Sequence, residues 1–158
     1  MIKAFKGVEP KIHESAYLAD DVFVIGDVEI GEDANVWFGS VLRGDVSYIR
    51  IGARTNIQDM TMIHVSSTFG PTIIEDEVTV GHRVTLHGCH VERQCLIGMG
   101  AIVMDEARIG DSHLLVPVCD RPRAGHREAC GYRIGVVPAH HREGAAGCAA
   151  ADHGRADR

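Results

Sequence analysis

The chain has 158 residues, which suits a single domain, and 45% of them are hydrophobic although only 5% are aromatic. Its net charge of −6 argues against a nucleic-acid-binding surface. It contains no apolar run long enough to span a membrane and no signal-peptide core, and its five cysteines include no C-x-x-C pair. We therefore expect a reduced, cytoplasmic protein with neither a disulfide framework nor a cysteine zinc knuckle.

An aliphatic residue recurs at every sixth position along most of the chain. A period of six fits neither an α-helix nor simple strand alternation, but it fits a β-solenoid of short strands that each point one aliphatic side chain inward. Three strands per coil predict a triangular prism of five or six coils. The first run of the repeat is Ile12, Leu18, Val24, Ile30, Val36 and Leu42, and smaller residues recur four places later at Ala16, Val22, Val28, Ala34, Ser40 and Val46.

Two interruptions divide the repeat, one around Tyr48 and one from Ser66 to Pro71, and the last repeat position is Leu115. We expect Gly, Asp and Asn at the corners between strands, because these residues tolerate a left-handed backbone. Asn56 is a candidate for such a corner. Cys89 and Cys95 are interpreted as small residues of the repeat. The predicted interior includes Ile30, Val36, Ile57, Val80, Leu86, Ile97 and Val103.

The composition changes after Ser112, which predicts a repeat domain over 1–112 and an atypical tail over 113–158. The tail contains no Lys, Phe, Trp, Met or Asn, and it carries Pro122 and Pro138, which cannot donate to a central strand ladder. We expect it to add no regular coils, and its segment 136–142 to fit neither a strand nor an amphipathic helix. A changed reading frame and a natural low-complexity tail both explain this composition.

Three histidines of the repeat region, His64, His82 and His87, are candidate metal ligands. His64 lies eighteen residues before His82, which is three repeat steps. If three steps make one coil, the two lie at matching positions on successive coils. Three converging neutral imidazoles predict a zinc site whose fourth position holds water, although iron or cobalt would also accept them. Taken singly, each histidine can also be an ordinary surface residue.

Short motifs surround these histidines, and together they identify a resemblance. They are Val41-Leu42-Arg43-Gly44-Asp45, Asn56-Ile57-Gln58-Asp59, Ile63-His64-Val65, Val80-Gly81-His82 and Leu86-His87-Gly88-Cys89. In this pattern the chain resembles the γ-class carbonic anhydrases of the bacterial transferase hexapeptide-repeat superfamily, from about Ile12 to Ser112. The resemblance implies an all-β fold, a single-stranded left-handed parallel β-helix, and a homotrimer.

The resemblance also implies an activity and a set of residue roles. A zinc-bound hydroxide would hydrate CO2 reversibly to bicarbonate at sites between subunits. His64 and His87 would come from one chain and His82 from its neighbour. Gln58 would orient the hydroxide.

The same resemblance assigns roles to polar residues near the ligands. Arg43 and Asp45 would form ion pairs across the trimer interface near the metal. Asn56 and Asp59 are expected beside the ligands, where Asp59 can fix a histidine tautomer.

The sequence departs from the family pattern at three places. Val46 stands where the family has an acidic proton shuttle, and the loop from Ser66 to Pro71 is short and has no carboxylate. The tail also lacks the family's C-terminal helical pattern. These departures imply slow turnover, unless His90, which is otherwise an exposed corner, replaces the shuttle.

Two alternatives to a carbonic anhydrase follow from the same fold. An acyltransferase would use one histidine as general base, with acyl-coenzyme A bound in the groove between subunits. A metal-binding or scaffold protein would have no significant catalysis. Three histidines favour the carbonic anhydrase over the acyltransferase, because acyl transfer needs only one base. Val46 and the short loop keep the scaffold alternative open.

Overall fold

The computed structural model describes residues 1–119 and 132–138, and every regular element within these ranges is a β-strand. Most strands are only two or three residues long, as a six-residue step with a corner in each step requires. The strands are β1 (Ile2–Lys3), β2 (Lys11–Ile12), β3 (Tyr17–Leu18), β4 (Phe23–Ile30), β5 (Asn35–Val36), β6 (Val41–Ile51), β7 (Asn56–Ile57), β8 (Met62–His64), β9 (Thr72–Ile74), β10 (Thr79–Val80), β11 (Thr85–His87), β12 (His90–Val91), β13 (Leu96–Ile97), β14 (Ile102–Val103), β15 (Arg108–Ile109), β16 (His113–Cys119) and β17 (Tyr132–Pro138).

Successive coils stack in parallel register and form a prism with three faces. Face A contains β1, β8, β11, β14 and the first parts of β4 and β6. Face B contains β2, β9, β12, β15 and the second parts of β4 and β6, and face C contains β3, β5, β7, β10, β13 and β16. The predicted fold is confirmed as a left-handed parallel β-helix of about six coils.

The interior of the prism consists of columns of aliphatic side chains, and all seven predicted interior residues are buried. On face A, one column in strand register is Val24, Leu42, Ile63, Leu86 and Val103. Each fully buried aliphatic side chain contributes about 1.5–3 kcal/mol. Cys89 and Cys95 also lie in the core, and burial raises the pKa of the Cys89 thiol to about 12. Neither thiol is therefore placed as a nucleophile.

The prediction for the corners holds at Gly26, Gly39, Gly88 and Gly100, but it is wrong at most of the corners between faces B and C. The left-handed residues between faces B and C are Asp33, Arg54, Glu77, Gln94 and Ser112. The preceding coil holds them in this conformation: the Glu77 N–H, for example, donates to the Ala53 carbonyl at 2.9 Å. Asn56 is not a left-handed corner but a residue of β7. At Gly52 the glycine is explained by close packing between coils rather than by a left-handed backbone, because a Cβ there would lie 2.4 Å from Asp76 Oδ1.

The parallel pairing begins earlier than the repeat indicated, because β1 already pairs with β4. A second difference concerns Val46, which the repeat grouped with smaller residues such as Val22 and Val28, both of which are buried. Val46 is 52% exposed. The residues around it bulge out of β6, whose register with β4 shifts between Gly26 and Val28.

The tail begins with a strand that continues the prism and then reverses. β16 pairs in parallel with β13, whereas β17 returns antiparallel to β16 as an edge strand. We expected no strand at 136–142, yet β17 extends to Pro138, which an edge strand tolerates at its end. Residues 120–131 and 139–158 lie outside the described part, so the boundary between 112 and 113 stays a prediction. Among the described residues, none belongs to a helix of the length and apolarity that crossing a bilayer requires.

Candidate metal centre

His64 and His87 occupy matching positions on neighbouring coils of face A. His64 ends β8, His87 ends β11, and the two residues are paired in the strand register. They are 23 residues apart, because the loop from Ser66 to Pro71 lengthens this coil beyond eighteen residues. The expectation that His64 matches His82 is therefore wrong.

The two imidazole rings face each other along the edge between faces A and B. His64 Nδ1 lies 3.0 Å from His87 Nε2. The far nitrogen of each ring contacts a carboxylate: His64 Nε2 is 2.9 Å from Asp45 Oδ1, and His87 Nδ1 is 2.7 Å from Asp105 Oδ1. A neutral imidazole that donates its one N–H to a carboxylate has only a lone pair on its other nitrogen. When both rings are neutral, two lone pairs face each other at hydrogen-bond distance, and a cation between them stabilises this arrangement.

Asp45 joins this pair of histidines to Arg43. Its second carboxylate oxygen accepts a hydrogen bond from Arg43 Nη1 of the same chain, and its side chain is only 13% exposed. Burial acts to raise the pKa of Asp45, but the hydrogen bond from His64 and the charge of Arg43 outweigh it and hold the pKa below its usual value. Asp45 is therefore an ionised acceptor for His64. The expected ion pairs across a subunit interface stay a prediction.

Thr72 fixes the backbone on both sides of the histidine pair. Its buried hydroxyl donates to the His64 carbonyl and accepts a hydrogen bond from the Gly88 N–H at 2.9 Å. Because Gly88 directly follows His87, one side chain ties together the ends of β8 and β11. The pattern of the sequence did not single out Thr72, since the insertion places it outside the six-residue step.

His82 lies at the other edge of face A, in the turn between β10 and β11. Its Nδ1 is 2.8 Å from Asp59 Oδ2. Asp59 and Gln58 follow β7 on the preceding coil, so both lie at this same edge between faces C and A. We call Gln58, Asp59 and His82 the single half-site, and we call Asp45, His64, His87 and Asp105 the paired half-site.

The width of face A separates the two half-sites within one chain. His82 precedes β11 and His87 ends it, and a strand rises about 3.3 Å per residue, so the side chains stand on the order of 10 Å or more apart. Accordingly, no three metal-binding side chains of one chain converge within the described residues. A centre with all three histidines requires a second copy of the chain.

Comparison with known proteins gives close relatives over most of the chain. A carbonic anhydrase from Geobacillus kaustophilus is 51% identical over 111 residues, which are 70% of this chain and 60% of that protein. The mitochondrial γ carbonic anhydrase 2 of Arabidopsis thaliana is 44% identical over 135 residues, which are 82% of this chain and 48% of that protein. No protein-family model matches the chain.

A solved structure matches in fold as well as in sequence. It is a Bacillus cereus protein provisionally assigned as an acetyltransferase, 35% identical, with a TM-score of 0.70 over 87% of this chain and 81% of that chain. This chain belongs to the γ-class carbonic anhydrase-like family of hexapeptide-repeat proteins. The matched part spans 60% and 48% of the lengths of the two relatives.

The donor set of this γ-class-like chain fits a divalent metal. All three candidate histidines have one ring nitrogen against a carboxylate, which leaves the other nitrogen with its lone pair. Zinc accepts imidazole nitrogen as a ligand, so the two ring nitrogens that lie 3.0 Å apart would hold one ion together. Carboxylates behind metal-binding histidines are a general feature of such centres, because they fix the tautomer and the ring orientation.

The remaining predicted residues lie farther from the histidines. Asn56 is on face C, and its buried Oδ1 has no hydrogen-bond partner among the described residues. His90 is in β12 on face B rather than at an exposed corner, and its Nε2 is 2.7 Å from Glu75 Oε1. Nothing in this placement connects His90 to the histidine pair.

Sequence reasoning missed Asp105, although a signal was present. The signal is a carboxylate about one coil after a candidate ligand: Asp105 lies eighteen residues after His87, one more than the seventeen that separate the paired residues Leu86 and Val103. The rule of three six-residue steps does not give the register of this coil either, because one step is short and the offset between β11 and β14 is seventeen residues.

Proposed function

We propose that the chain is the subunit of a zinc-dependent γ-class carbonic anhydrase, a homotrimer that interconverts CO2 and bicarbonate. One observation carries this proposal: two imidazole nitrogens lie 3.0 Å apart, and the outer nitrogen of each ring lies against a carboxylate. The relatives named carbonic anhydrase support the same activity.

The surface between the half-sites supports assembly with a second copy. In the strand register of face A, Phe23, Met62 and Ile102 are outward positions, and they are 39%, 39% and 60% exposed. Further exposed apolar side chains lie at the edge with the single half-site: Phe38, Met60 and Met99. Burial of this apolar surface favours association. Contact between the A–B edge of one copy and the C–A edge of the next is head-to-tail, and such contacts close into rings.

The chemistry requires a nucleophile at neutral pH, and a zinc ion held by three imidazoles supplies one by lowering the pKa of a coordinated water to about 7. When bound, the ion would thereby supply the hydroxide that hydration of CO2 consumes, and solvent or buffer would take up the released proton. His64 and His87 of one copy and His82 of the next would hold the ion. Iron or cobalt would also accept this donor set.

The remaining residues would orient the reactants rather than transfer protons. Gln58 lies on the same edge as His82, where its amide can hydrogen-bond the nucleophile and aim it at CO2. Val46 has no ionisable group, and the loop from Ser66 to Pro71 carries no carboxylate, so this chain offers no proton acceptor at the two places where the family has one. We therefore propose a slow enzyme whose rate depends on external buffer.

An acyltransferase is the second candidate, because the Bacillus cereus neighbour carries that assignment. A single base suffices for acyl transfer, so this function leaves two of the three carboxylate-backed histidines without a role. A metal-binding scaffold without catalysis is the third candidate, and Val46 is the residue that favours it. A reduced, cytoplasmic location stays part of the proposal, supported by the free thiols of Cys89 and Cys95.

The test combines three measurements on full-length protein purified without added metal: metal content, mass in solution and CO2 hydration in strong buffer. We expect about one zinc per chain, a trimer, and hydration that depends on the metal. A trimer loaded with metal but inactive would point to the scaffold. Acyl transfer from acyl-coenzyme A without any dependence on metal would point to the acyltransferase.

A further inference from the structure

Asp105 contacts a candidate ligand from a coil that carries none of the three histidines. It follows β14, one coil beyond β11, and its Oδ1 lies 2.7 Å from His87 Nδ1. Its side chain is 26% exposed, and His87 is its one ion-pair partner among the described residues. Asp45, by contrast, is shared between His64 and Arg43. Asp105 is thus dedicated to a single ring.

The residue after His87 leaves the space that Asp105 occupies. Gly88 has a φ of +56°, and a Cβ built on it would lie 2.2 Å from Asp105 Oδ1 and 3.3 Å from the Ser66 side chain. A side chain at this position would therefore displace the carboxylate from His87. The glycine of the His-Gly-Cys motif is explained by this contact as well as by its left-handed backbone.

We propose that Asp105 is a positioning residue for the metal: it accepts the Nδ1–H of His87 and so presents the Nε2 lone pair towards His64. This inference rests on the proposed metal centre. In centres of this kind, loss of the carboxylate behind a histidine lowers metal affinity by about 10–100-fold. Gly88 is part of the same arrangement, because the absence of a side chain there leaves room for the Asp105 carboxylate.

The experiment measures zinc affinity of the full-length protein by competition with a chelator. Asp105→Ala should lose about 10–100-fold in affinity, whereas Asp105→Asn, which keeps an acceptor oxygen, should recover part of the loss. Glu106→Ala is the matched control: it removes the same charge one residue away, from an exposed side chain, and should bind zinc like the parent. The visible absorption of the cobalt-loaded protein should change in Asp105→Ala and not in Glu106→Ala, because only the first alters a ligand ring.

A double-mutant cycle separates the contact from general strain. Gly88→Ala should also weaken zinc binding, but in the Asp105→Ala background it should add little, since the carboxylate that it displaces is already gone. Equal zinc affinity for Asp105→Ala and the parent would overturn the positioning role and leave the metal centre standing. A parent protein that binds no zinc, iron or cobalt would overturn the metal centre and this role together.

Discussion

The two half-sites differ in how firmly the fold of one chain holds them. In the paired half-site, the side chains of His64 and Asp45 are 19% and 13% exposed, and Thr72 ties the two ligand strands together. In the single half-site, His82 and Asp59 are 47% and 37% exposed and stand in turns at an edge of the prism. The paired half-site is preorganised by the coils themselves, whereas the single half-site can become rigid only when another copy packs against it.

The largest expected effect is loss of metal when either half-site loses a histidine. His87→Ala and His82→Ala should each weaken zinc binding on the order of 100-fold or more, since each ligand carries a share of the roughly 10–16 kcal/mol of a full zinc site. Metal analysis after gel filtration measures this. His90→Gln, which changes a histidine on face B, is the control and should keep its metal. Full metal content in His82→Ala would rule out the three-histidine centre.

The same pair of variants sharpens the comparison in the metal-free protein. His87→Ala leaves the carboxylate of Asp105 without its partner and should lower the free energy of unfolding by about 1–3 kcal/mol. His82→Ala changes an exposed turn and should stay within about 0.5 kcal/mol of the parent. Urea unfolding of the chelated proteins gives both values. Equal destabilisation by the two variants would contradict the difference in preorganisation.

Thr72→Val tests the backbone connection within the paired half-site. The valine keeps the shape but leaves the His64 carbonyl and the Gly88 N–H without their partner, so we expect a loss of about 1–3 kcal/mol in the free energy of unfolding. Thr79→Val, on β10, is the control, because the Thr79 hydroxyl has no hydrogen bond among the described residues. Should both variants unfold at the same urea concentration, the connection contributes nothing.

Gln58→Ala tests the single half-site for chemistry rather than binding. Zinc content should stay unchanged, and CO2 hydration in strong buffer should fall by roughly 10–100-fold, as expected when one donor to the reacting oxygen is lost. Gln94→Ala changes a glutamine at the edge between faces B and C and should leave hydration unaltered. An unchanged rate in Gln58→Ala would remove the orienting role of this amide.

The smallest expected effect concerns proton removal beside the paired half-site. Val46→Glu introduces a carboxylate on the exposed bulge after Asp45, and it should raise hydration a few-fold in weak buffer and little in strong buffer. Val46→Gln has a similar size without an ionisable group and should show no gain. A gain of equal size in both variants would mean that polarity, not proton transfer, limits the rate.

The sequence predicted the fold more fully than it predicted the arrangement of the candidate site. The six-residue period placed every predicted interior residue correctly, because burial of aliphatic columns is a local and repeated requirement. It failed where a coil changes length: the insertion before Thr72 shifted the match of His64 from His82 to His87. Most left-handed corners between faces B and C were also missed, because hydrogen bonds from the preceding coil, rather than residue type, hold residues such as Arg54.

The candidate ligands themselves could be named from the sequence, and Asp105 could have been. It is a carboxylate eighteen residues after His87, within one residue of the seventeen-residue length of that coil. The division of the histidines into two sets was implied only by the family resemblance, and the paired strands give its geometric basis, because they place His82 across face A from His87.

Mixing two inactive variants tests most directly whether the centre is shared between copies. His82→Ala retains a complete paired half-site, and His87→Ala retains a complete single half-site. If the metal lies between copies, unfolding and refolding an equal mixture should restore about one quarter of the zinc sites, the statistical share of correctly ordered neighbours in a three-membered ring. Each variant refolded alone should bind only trace zinc. If the mixture binds no more zinc than the mean of the two variants refolded alone, the centre is not assembled from two copies.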